Sequence, residues 1–138
     1  MSTPPATHLP FELEISIKPE DIDLMGHVNN IVYLRWVQEA AVAHWQVIAS
    51  KQEQESLLWM VIRHEIDYKR QAFLGDQIIA KTWVGGLRRY AFERHTELLR
   101  KSDGKILAKA ITVWQPVDAV TKRAVKTSKD IQAKFSIS

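Results

Sequence analysis

The sequence predicts an α+β domain in which one long helix packs against an antiparallel β-sheet. Residues 11–18 alternate strictly between apolar and polar side chains, and residues 30–50 carry apolar side chains at helical spacing. Four further β-rich runs follow, separated by short turns. Because short turns join antiparallel neighbours, these strands form one sheet, and the helix buries its apolar side against that sheet.

The composition is that of a globular protein with one domain over residues 1–138, in which residues 1–10 form a loose N-terminal arm holding three of the five prolines. The net charge of +3 is too small to indicate a nucleic-acid partner. The absence of cysteine excludes disulfides, thiolate nucleophiles and cysteine-bound zinc. No signal-peptide or membrane-spanning pattern is present, so we expect a cytoplasmic protein with no membrane partner.

The first strand and the helix follow from simple spacing. Apolar positions 11, 13, 15 and 17 define a half-buried strand, and residues 19–26 form a loop punctuated by a proline, three acids and a glycine. One face of the helix carries Tyr33, Val37, Ala40, Ala41, His44 and Ile48. Further apolar side chains widen this face, which predicts a helix that is mostly enclosed.

The second half of the chain is predicted to consist of strands and turns. Residues 51–56 are a polar connection, and the strand after it places Met60, Ile62, His64, Ile66 and Tyr68 on one side. Further strands are predicted over residues 77–84, ending at Gly85-Gly86, and over residues 90–100, 105–115 and 122–125. Ser102-Asp103-Gly104 is a hairpin turn, and Ser128 caps a last helical turn through Phe135.

Residues 21–30 place two carboxylates, a glycine, a histidine and two amides directly before the long helix. The start of this helix lacks a capping box, because the residues three positions after Asn29 and Asn30 are Val32 and Tyr33. Either asparagine can cap one backbone N–H, which leaves at least one other donor without a local acceptor. A substrate carbonyl oxygen would accept from that donor, and the helix dipole would stabilise an oxyanion there.

Asp23 is the candidate partner for such a carbonyl. Its carboxylate can attack an acyl carbon or take a proton from water, and Gly26 lets the chain turn tightly towards the helix. The alternative is an Asx turn that only orders the loop. Asp21, two residues earlier, is expected to be a solvated loop acid.

Other polar residues allow a functional and a purely structural interpretation. Glu39 either orients water or pairs with Arg35 one helical turn away, and His27 can orient a carbonyl. His44 and His64 lie on apolar faces and are expected to be core histidines. The turn at Arg88-Arg89-Tyr90, together with Arg94, can meet a phosphate or simply be solvated. A metal site is not expected, because Asp21, Asp23 and His27 lack a further ligand.

Residues 23–30, Asp-Leu-Met-Gly-His-Val-Asn-Asn, followed at fixed spacing by Tyr33 and Glu39, resemble the acyl-CoA thioesterases of the 4-hydroxybenzoyl-CoA thioesterase family. The resemblance is to the branch with a His-Val-Asn-Asn signature, which includes bacterial long-chain acyl-CoA thioesterases. The later segments Glu65-Ile-Asp-Tyr68 and Gly75-Asp76 extend it, so that it runs from Phe11 to about Val125.

This resemblance implies the hotdog fold, an antiparallel sheet wrapped around one central helix, in a homodimer or homotetramer with active sites between subunits. It implies that Asp23 is catalytic and that the N–H near Asn30 polarises the thioester carbonyl, with no metal and no cofactor. His27 and Glu39 match signature positions with catalytic roles, and substrate contacts are expected from Gly26, Val28, Asn29, Tyr33, Arg88 and Arg89.

The sequence therefore predicts hydrolysis of acyl-CoA thioesters to free acid and CoA. Two alternatives remain: a hotdog module that binds acyl-CoA without turnover, and an enzyme acting on acyl carrier protein thioesters. Bulky residues either shape an acyl pocket or belong to the core; they are Trp36, Trp45, Trp59 and Trp83.

Overall fold

The computed structural model describes residues 10–136, which contain five strands, three α-helices and one short 3₁₀ turn. In chain order they are β1 (Phe11–Ser16), the 3₁₀ turn (Pro19–Asp21), α1 (Asn30–Ile48), α2 (Lys51–Ser56), β2 (Leu57–Tyr68), β3 (Gln77–Arg88), β4 (Ala91–Arg100), β5 (Ile106–Asp118) and α3 (Lys129–Lys134). The strands form one antiparallel sheet in the order β1-β3-β4-β5-β2. The α+β architecture predicted from the sequence is confirmed. Most of the predicted arm, residues 1–9, lies outside the described residues.

One side of α1 forms the core with the sheet. Its buried residues are Val32, Tyr33, Trp36, Val37, Ala40 and Ala41. The two alanines present little side chain, which lets the helix lie close to the small residues Ala80 and Ala108 of the sheet. The opposite side of α1 is open in this chain, since Ile31 and Val47 are 70% and 69% exposed. The prediction of a mostly enclosed helix is therefore wrong for the single chain.

Residues 51–56 are a helix rather than the predicted polar connection. The Ser50 hydroxyl accepts from the Glu53 N–H at 3.1 Å, and the Glu53 carboxylate accepts from the Ser50 N–H at 2.8 Å. This capping box starts α2 immediately after α1 has ended at Ile48. The Ser-x-x-Glu spacing that forms it is visible in the sequence.

A β-bulge in β2 changes which side chains of this strand point to each face of the sheet. The register between β2 and β5 shifts between Val61 and Arg63, which places the extra residue Ile62 on the outside. Met60 and Ile62 are therefore about half exposed, at 52% and 54%, although the alternation placed them on one side with His64. A strict period of two cannot foresee an inserted residue.

Strand β3 continues beyond Gly85-Gly86, where the sequence predicted its end, and reaches Arg88. Its register with β4 shifts between Val84 and Gly86. A Cβ at position 85 would lie 2.8 Å from the His95 ring, so this bulge requires glycine for the close approach. Gly85 and Gly86 therefore mark a bulge within the strand rather than the end of the strand.

The C-terminal segment is mostly irregular. Residues 122–125 were predicted as a strand, but their pairing is limited to one bridge between Ala124 and Val117. The predicted cap at Ser128 is confirmed, because its hydroxyl accepts from the Ile131 N–H at 3.2 Å at the start of α3. This helix carries Phe135 into a second apolar cluster beside β3 and β4. None of the helices within residues 10–136 combines the length and the apolar character required to cross a bilayer.

Candidate functional site

The loop before α1 folds back on itself as a small antiparallel ladder. The Asp23 N–H donates to the His27 carbonyl at 2.8 Å, and the Asn29 N–H donates to the Asp21 carbonyl at 2.9 Å. Gly26 makes the reversal with a φ of +83°, a conformation that side chains with a Cβ rarely adopt. The ladder fixes Asp23 and the first residues of α1 at the same end of the helix.

Asp23 uses one carboxylate oxygen to order this loop. Its Oδ1 accepts from the Met25 N–H at 2.9 Å and from the His27 N–H at 3.1 Å, which is the Asx-type turn that the sequence allowed. Its Oδ2 receives no hydrogen bond from residues 10–136. The side chain is half-buried. The two interpretations of Asp23 are thus compatible, since one oxygen holds the turn and the other is available for chemistry.

At the N-terminus of α1 the backbone N–H of Asn30 is an unused donor in the described part of the chain. The Asn29 side chain caps the helix by accepting from the Ile31 N–H at 3.2 Å, and the Val32 N–H donates to the Asn29 carbonyl at 2.9 Å. The Asn30 N–H has no acceptor among residues 10–136. This N–H lies where the helix dipole favours negative charge.

Asp21 is buried and ion-paired, so the prediction of a solvated loop acid is wrong. Its side chain is 1% exposed and receives two hydrogen bonds from Arg35 Nη2, at 3.0 and 3.2 Å. Its Oδ2 also accepts from the Lys18 N–H at 3.0 Å. The arginine reaches back along α1 towards the helix N-terminus, so Asp21 fastens the loop to the helix.

Glu39 forms the i,i+4 pair with Arg35 that the sequence allowed, with Nε and Oε1 3.2 Å apart. Its side chain is 47% exposed. One guanidinium therefore joins a buried acid to an exposed acid. A catalytic role for Glu39 stays a prediction.

We expect Asp21→Ala to lower the free energy of unfolding by about 1–3 kcal/mol, because it leaves Arg35 and the Lys18 N–H without their buried acceptor. Glu39→Ala removes the exposed partner of the same arginine and should cost less than about 0.5 kcal/mol. Urea unfolding of the two variants measures both values. If both variants lost the same free energy of unfolding, the burial of Asp21 would not be the reason that its ion pair with Arg35 stabilises the protein.

Two predicted substrate contacts lie in the core. Val28 is buried, and its N–H donates to the Ala72 carbonyl at 2.9 Å. Tyr33 is 1% exposed, its hydroxyl donates to the Arg70 carbonyl at 3.0 Å, and burial raises its pKa. Both side chains pack in the core of this chain, where they hold the loop and the helix in place, and a substrate contact from either of them stays a prediction. The His27 ring is half-buried, edge-on to Phe73.

The turn that carries Arg88 and Arg89 lies at the opposite end of β3 from the Asp23 loop. Gln77 and Arg88, the two ends of this 12-residue strand, are roughly 35 Å apart along it. Arg88 pairs with Glu93 at 2.7 Å, and this contact lowers the pKa of that carboxyl. One chain therefore does not bring these arginines to Asp23. Arg94 is not part of a phosphate-binding turn either, because it is buried beneath α1.

The four tryptophans singled out in the sequence have different positions. Trp36 lies in the core against Tyr33, and Trp83 stacks on His95 on the outer side of the sheet. Trp45 and Trp59 line an apolar cavity of about 310 Å³, which also includes Trp114. The sequence offered Trp45 and Trp59 as residues that either shape an acyl pocket or belong to the core, but it did not predict the position or the other walls of this cavity. Its walls come from separate elements, and scattered aromatic residues were the one signal.

The predicted core histidines are hydrogen-bonded inside the protein. The His44 ring accepts from Arg94 at 3.0 Å, and its pKa is lowered to about 3 by burial and by that arginine. His64 Nδ1 lies 3.1 Å from the Thr112 hydroxyl, and burial lowers its pKa. Within residues 10–136, no group of three or more histidine, aspartate or glutamate side chains is placed to hold a metal ion.

Residues 17–135 match the family model described as the Thioesterase-like superfamily. The chain belongs to this family of thioesterase-like enzymes, and its five-stranded antiparallel sheet with one long helix is the hotdog fold of that family. The match does not single out the 4-hydroxybenzoyl-CoA branch.

Similar proteins include the long-chain acyl-CoA thioesterase FadM of Escherichia coli K12, 22% identical over 132 residues that cover 90% of this chain and 96% of that protein. The acyl-[acyl-carrier-protein] hydrolase FATB1 of Cuphea viscosissima is 28% identical over 108 residues, 78% of this chain. The matched regions cover 23% of FATB1 and 33% of a palmitoyl-acyl carrier protein thioesterase of Gossypium hirsutum.

Solved structures share the fold. A thioesterase from Thermus thermophilus, complexed with coenzyme A and Zn, has a TM-score of 0.78 at 25% identity, covering 90% of both chains. A 1,4-dihydroxy-2-naphthoyl-CoA thioesterase from Synechocystis has a TM-score of 0.79 at 18% identity, covering 91% of this chain and 95% of its own.

Proposed function

We propose that this protein hydrolyses acyl-CoA thioesters to a free acid and CoA. One observation carries the proposal. The Asn30 N–H, which has no acceptor among residues 10–136, and the Asp23 carboxylate, which keeps one oxygen available, lie at the same end of α1. Membership of the Thioesterase-like superfamily and the likeness to a coenzyme A-bound thioesterase support it.

In the proposed reaction the thioester carbonyl oxygen accepts from the Asn30 N–H. Water attacks the carbonyl carbon while Asp23 Oδ2 takes its proton, and negative charge develops on the oxygen at the positive end of the helix dipole. Collapse of the tetrahedral intermediate breaks the carbon–sulfur bond and releases the CoA thiolate, which takes up a proton. Direct attack by Asp23, followed by hydrolysis of the anhydride, is the alternative route to the same products.

The other proposed site residues support these two groups. Gly26 sets the reversal that aims Asp23, and Asn29 caps the Ile31 N–H so that the donor next to it stays available. His27 closes the loop through its backbone, and its ring is in reach of a substrate entering beside Phe73. Glu39 is proposed to orient water from its position on α1.

We also propose that two copies of the chain assemble into a homodimer, alone or within a tetramer. Strand β2 is a 12-residue sheet edge with half-exposed Met60 and Ile62, and such edges are normally covered. Leu24 and Ile31 are highly exposed beside the Asp23 loop. A second copy would bury these side chains and could bring its Arg88–Arg89 turn to the CoA phosphates. The cytoplasmic location stays a prediction.

A thiol-release assay on acyl-CoA substrates from two to eighteen carbons, with an aromatic acyl-CoA added, tests the proposed reaction. We expect release of free CoA well above the enzyme-free rate for at least one chain length. Tight binding of acyl-CoA without thiol release would overturn the proposal in favour of a binding module.

Hydrolysis of acyl carrier protein thioesters is the second candidate, favoured by the similarity to FATB1 and to the Gossypium enzyme. The same acyl group presented on CoA and on acyl carrier protein separates the two. A higher kcat/KM for CoA supports the main proposal, and a higher value for the carrier protein replaces it.

A further inference from the structure

The aromatic cavity lies apart from the Asp23 loop within the chain. It is lined by the C-terminal half of α1, α2, the beginning of β2, residues of β4 and β5, and Phe135 after α3. The aromatic side chains that line it are Trp45, Trp59, Phe92, Trp114 and Phe135. Ala41, its first lining residue on α1, is eleven residues from Asn30, or about 16 Å along the helix axis. A cavity of about 310 Å³ with apolar walls is large enough for a small ligand.

Arg94 lines this cavity as a buried cation without an acidic partner. It is 4% exposed, and no ion pair among residues 10–136 includes it. Its Nη1 donates to His44 Nδ1 and to the Thr82 hydroxyl, both at 3.0 Å, and its guanidinium lies 5.5 Å from the Phe135 ring. These partners are all neutral, because the His44 pKa is about 3. Burial lowers the Arg94 pKa to about 9, which leaves it charged at neutral pH.

Side chains that line the cavity carry hydrogen-bond donors with no acceptor in the described residues. Arg94 Nε and Nη2 donate to none of them, since both hydrogen bonds of this side chain use Nη1. The indole N–H groups of Trp59 and Trp114 are buried without a partner, and both side chains line the cavity. A buried donor without an acceptor and a buried charge without a counter-charge are both unfavourable, unless a ligand supplies the acceptor and the counter-charge.

We propose that this cavity binds an apolar monocarboxylic acid, with the carboxylate on Arg94 and the hydrocarbon part against the tryptophans. A carboxylate is planar and accepts two parallel hydrogen bonds from the free Nε and Nη2 edge of an arginine. It also supplies the negative charge that the surroundings of Arg94 lack. A ligand with an apolar body fills the rest of the cavity and displaces water from its aromatic walls.

The inference does not depend on thioester hydrolysis, because it concerns binding alone. A free acid is also what the proposed reaction releases, so the cavity would retain or sense the product class. A protein that releases no thiol would refute the proposed function without bearing on this site. A protein that binds no acid would refute this site without bearing on the proposed function.

Calorimetric titration of the intact protein with decanoate and with decan-1-ol tests the proposal, since the two probes have the same chain length and differ in charge. We expect decanoate to bind at least tenfold more tightly than the alcohol. Equal affinities, or no binding of decanoate, would overturn the proposal.

Arg94→Met provides the variant arm, because methionine fills the same apolar space without a charge. It should lose the tenfold preference for decanoate while the affinity for decan-1-ol changes less than threefold. A preference for decanoate that survives in a folded Arg94→Met protein would contradict the assignment. Should that variant fail to fold, Trp59→Phe, which deletes one orphan indole N–H, is expected to weaken decanoate more than decan-1-ol, and an equal effect on both would contradict it.

Discussion

Asp23→Asn is expected to lower kcat for thioester hydrolysis by about 10²–10⁴ without unfolding the protein. Asparagine keeps an Oδ1 that accepts from the Met25 and His27 N–H groups, so the turn before α1 is retained. It lacks the carboxylate oxygen that takes a proton or attacks the acyl carbon. Thiol release at saturating acyl-CoA measures the loss, and circular dichroism with thermal unfolding checks the fold.

Glu20→Gln is the matched control for this substitution. It neutralises an exposed acid three residues earlier in the same loop and should leave kcat within about twofold of wild type, because an exposed charge at this distance is screened. A general effect of loop charge would slow both variants alike. A folded Asp23→Asn protein with the wild-type rate would remove Asp23 from the mechanism.

Asn30→Pro is expected to lower kcat by about 10²–10³, the usual cost of deleting one oxyanion donor. Proline is well suited to the first position of a helix, where its missing N–H costs the helix nothing. Asn29 already has the extended conformation that a following proline requires, with φ −60° and ψ 137°. The carbonyl of residue 30, which accepts from the Tyr68 hydroxyl at 3.2 Å, is kept. The substitution therefore removes the proposed donor with little change to its surroundings.

Much of this site could be predicted because it depends on local chemistry. The start of α1 follows from a capping asparagine ahead of a long apolar helix, and the spare N–H follows from the absence of a capping box. Gly26 at a positive φ follows from a loop that must reverse within a few residues. Each of these features involves residues fewer than ten positions apart.

The two loop acids were harder to separate. Asp21 and Asp23 have the same chemistry and nearly the same position in the sequence, yet one is buried and the other is half-exposed. What distinguishes them is Arg35, fourteen residues away, which approaches only once the loop ladder and the helix have both formed. The sequence showed Arg35 as a partner for Glu39 alone, because that pair is visible in helical spacing.

The β-bulges and the cavity were beyond sequence reasoning for a different reason. The bulges at Ile62 and Gly85 shift the pairing between strands, and this depends on the neighbouring strand rather than on the pattern within one. The cavity requires Trp59, Arg94 and Phe135, which lie more than thirty residues apart along the chain. The sequence analysis grouped Arg94 with the arginines of the preceding turn. Alternation along β4 instead directs its side chain to the face of the sheet that packs against α1.

The ratio of kcat for Asn30→Pro to kcat for Asn30→Ala, measured by thiol release on one acyl-CoA, isolates the backbone donor. Both variants lack the asparagine side chain, and alanine keeps the N–H that proline lacks. A catalytic N–H at the start of α1 predicts a ratio of about 0.01 or lower, with Asn30→Ala close to wild type. Equal rates in two folded variants would show that this N–H does not act on the thioester.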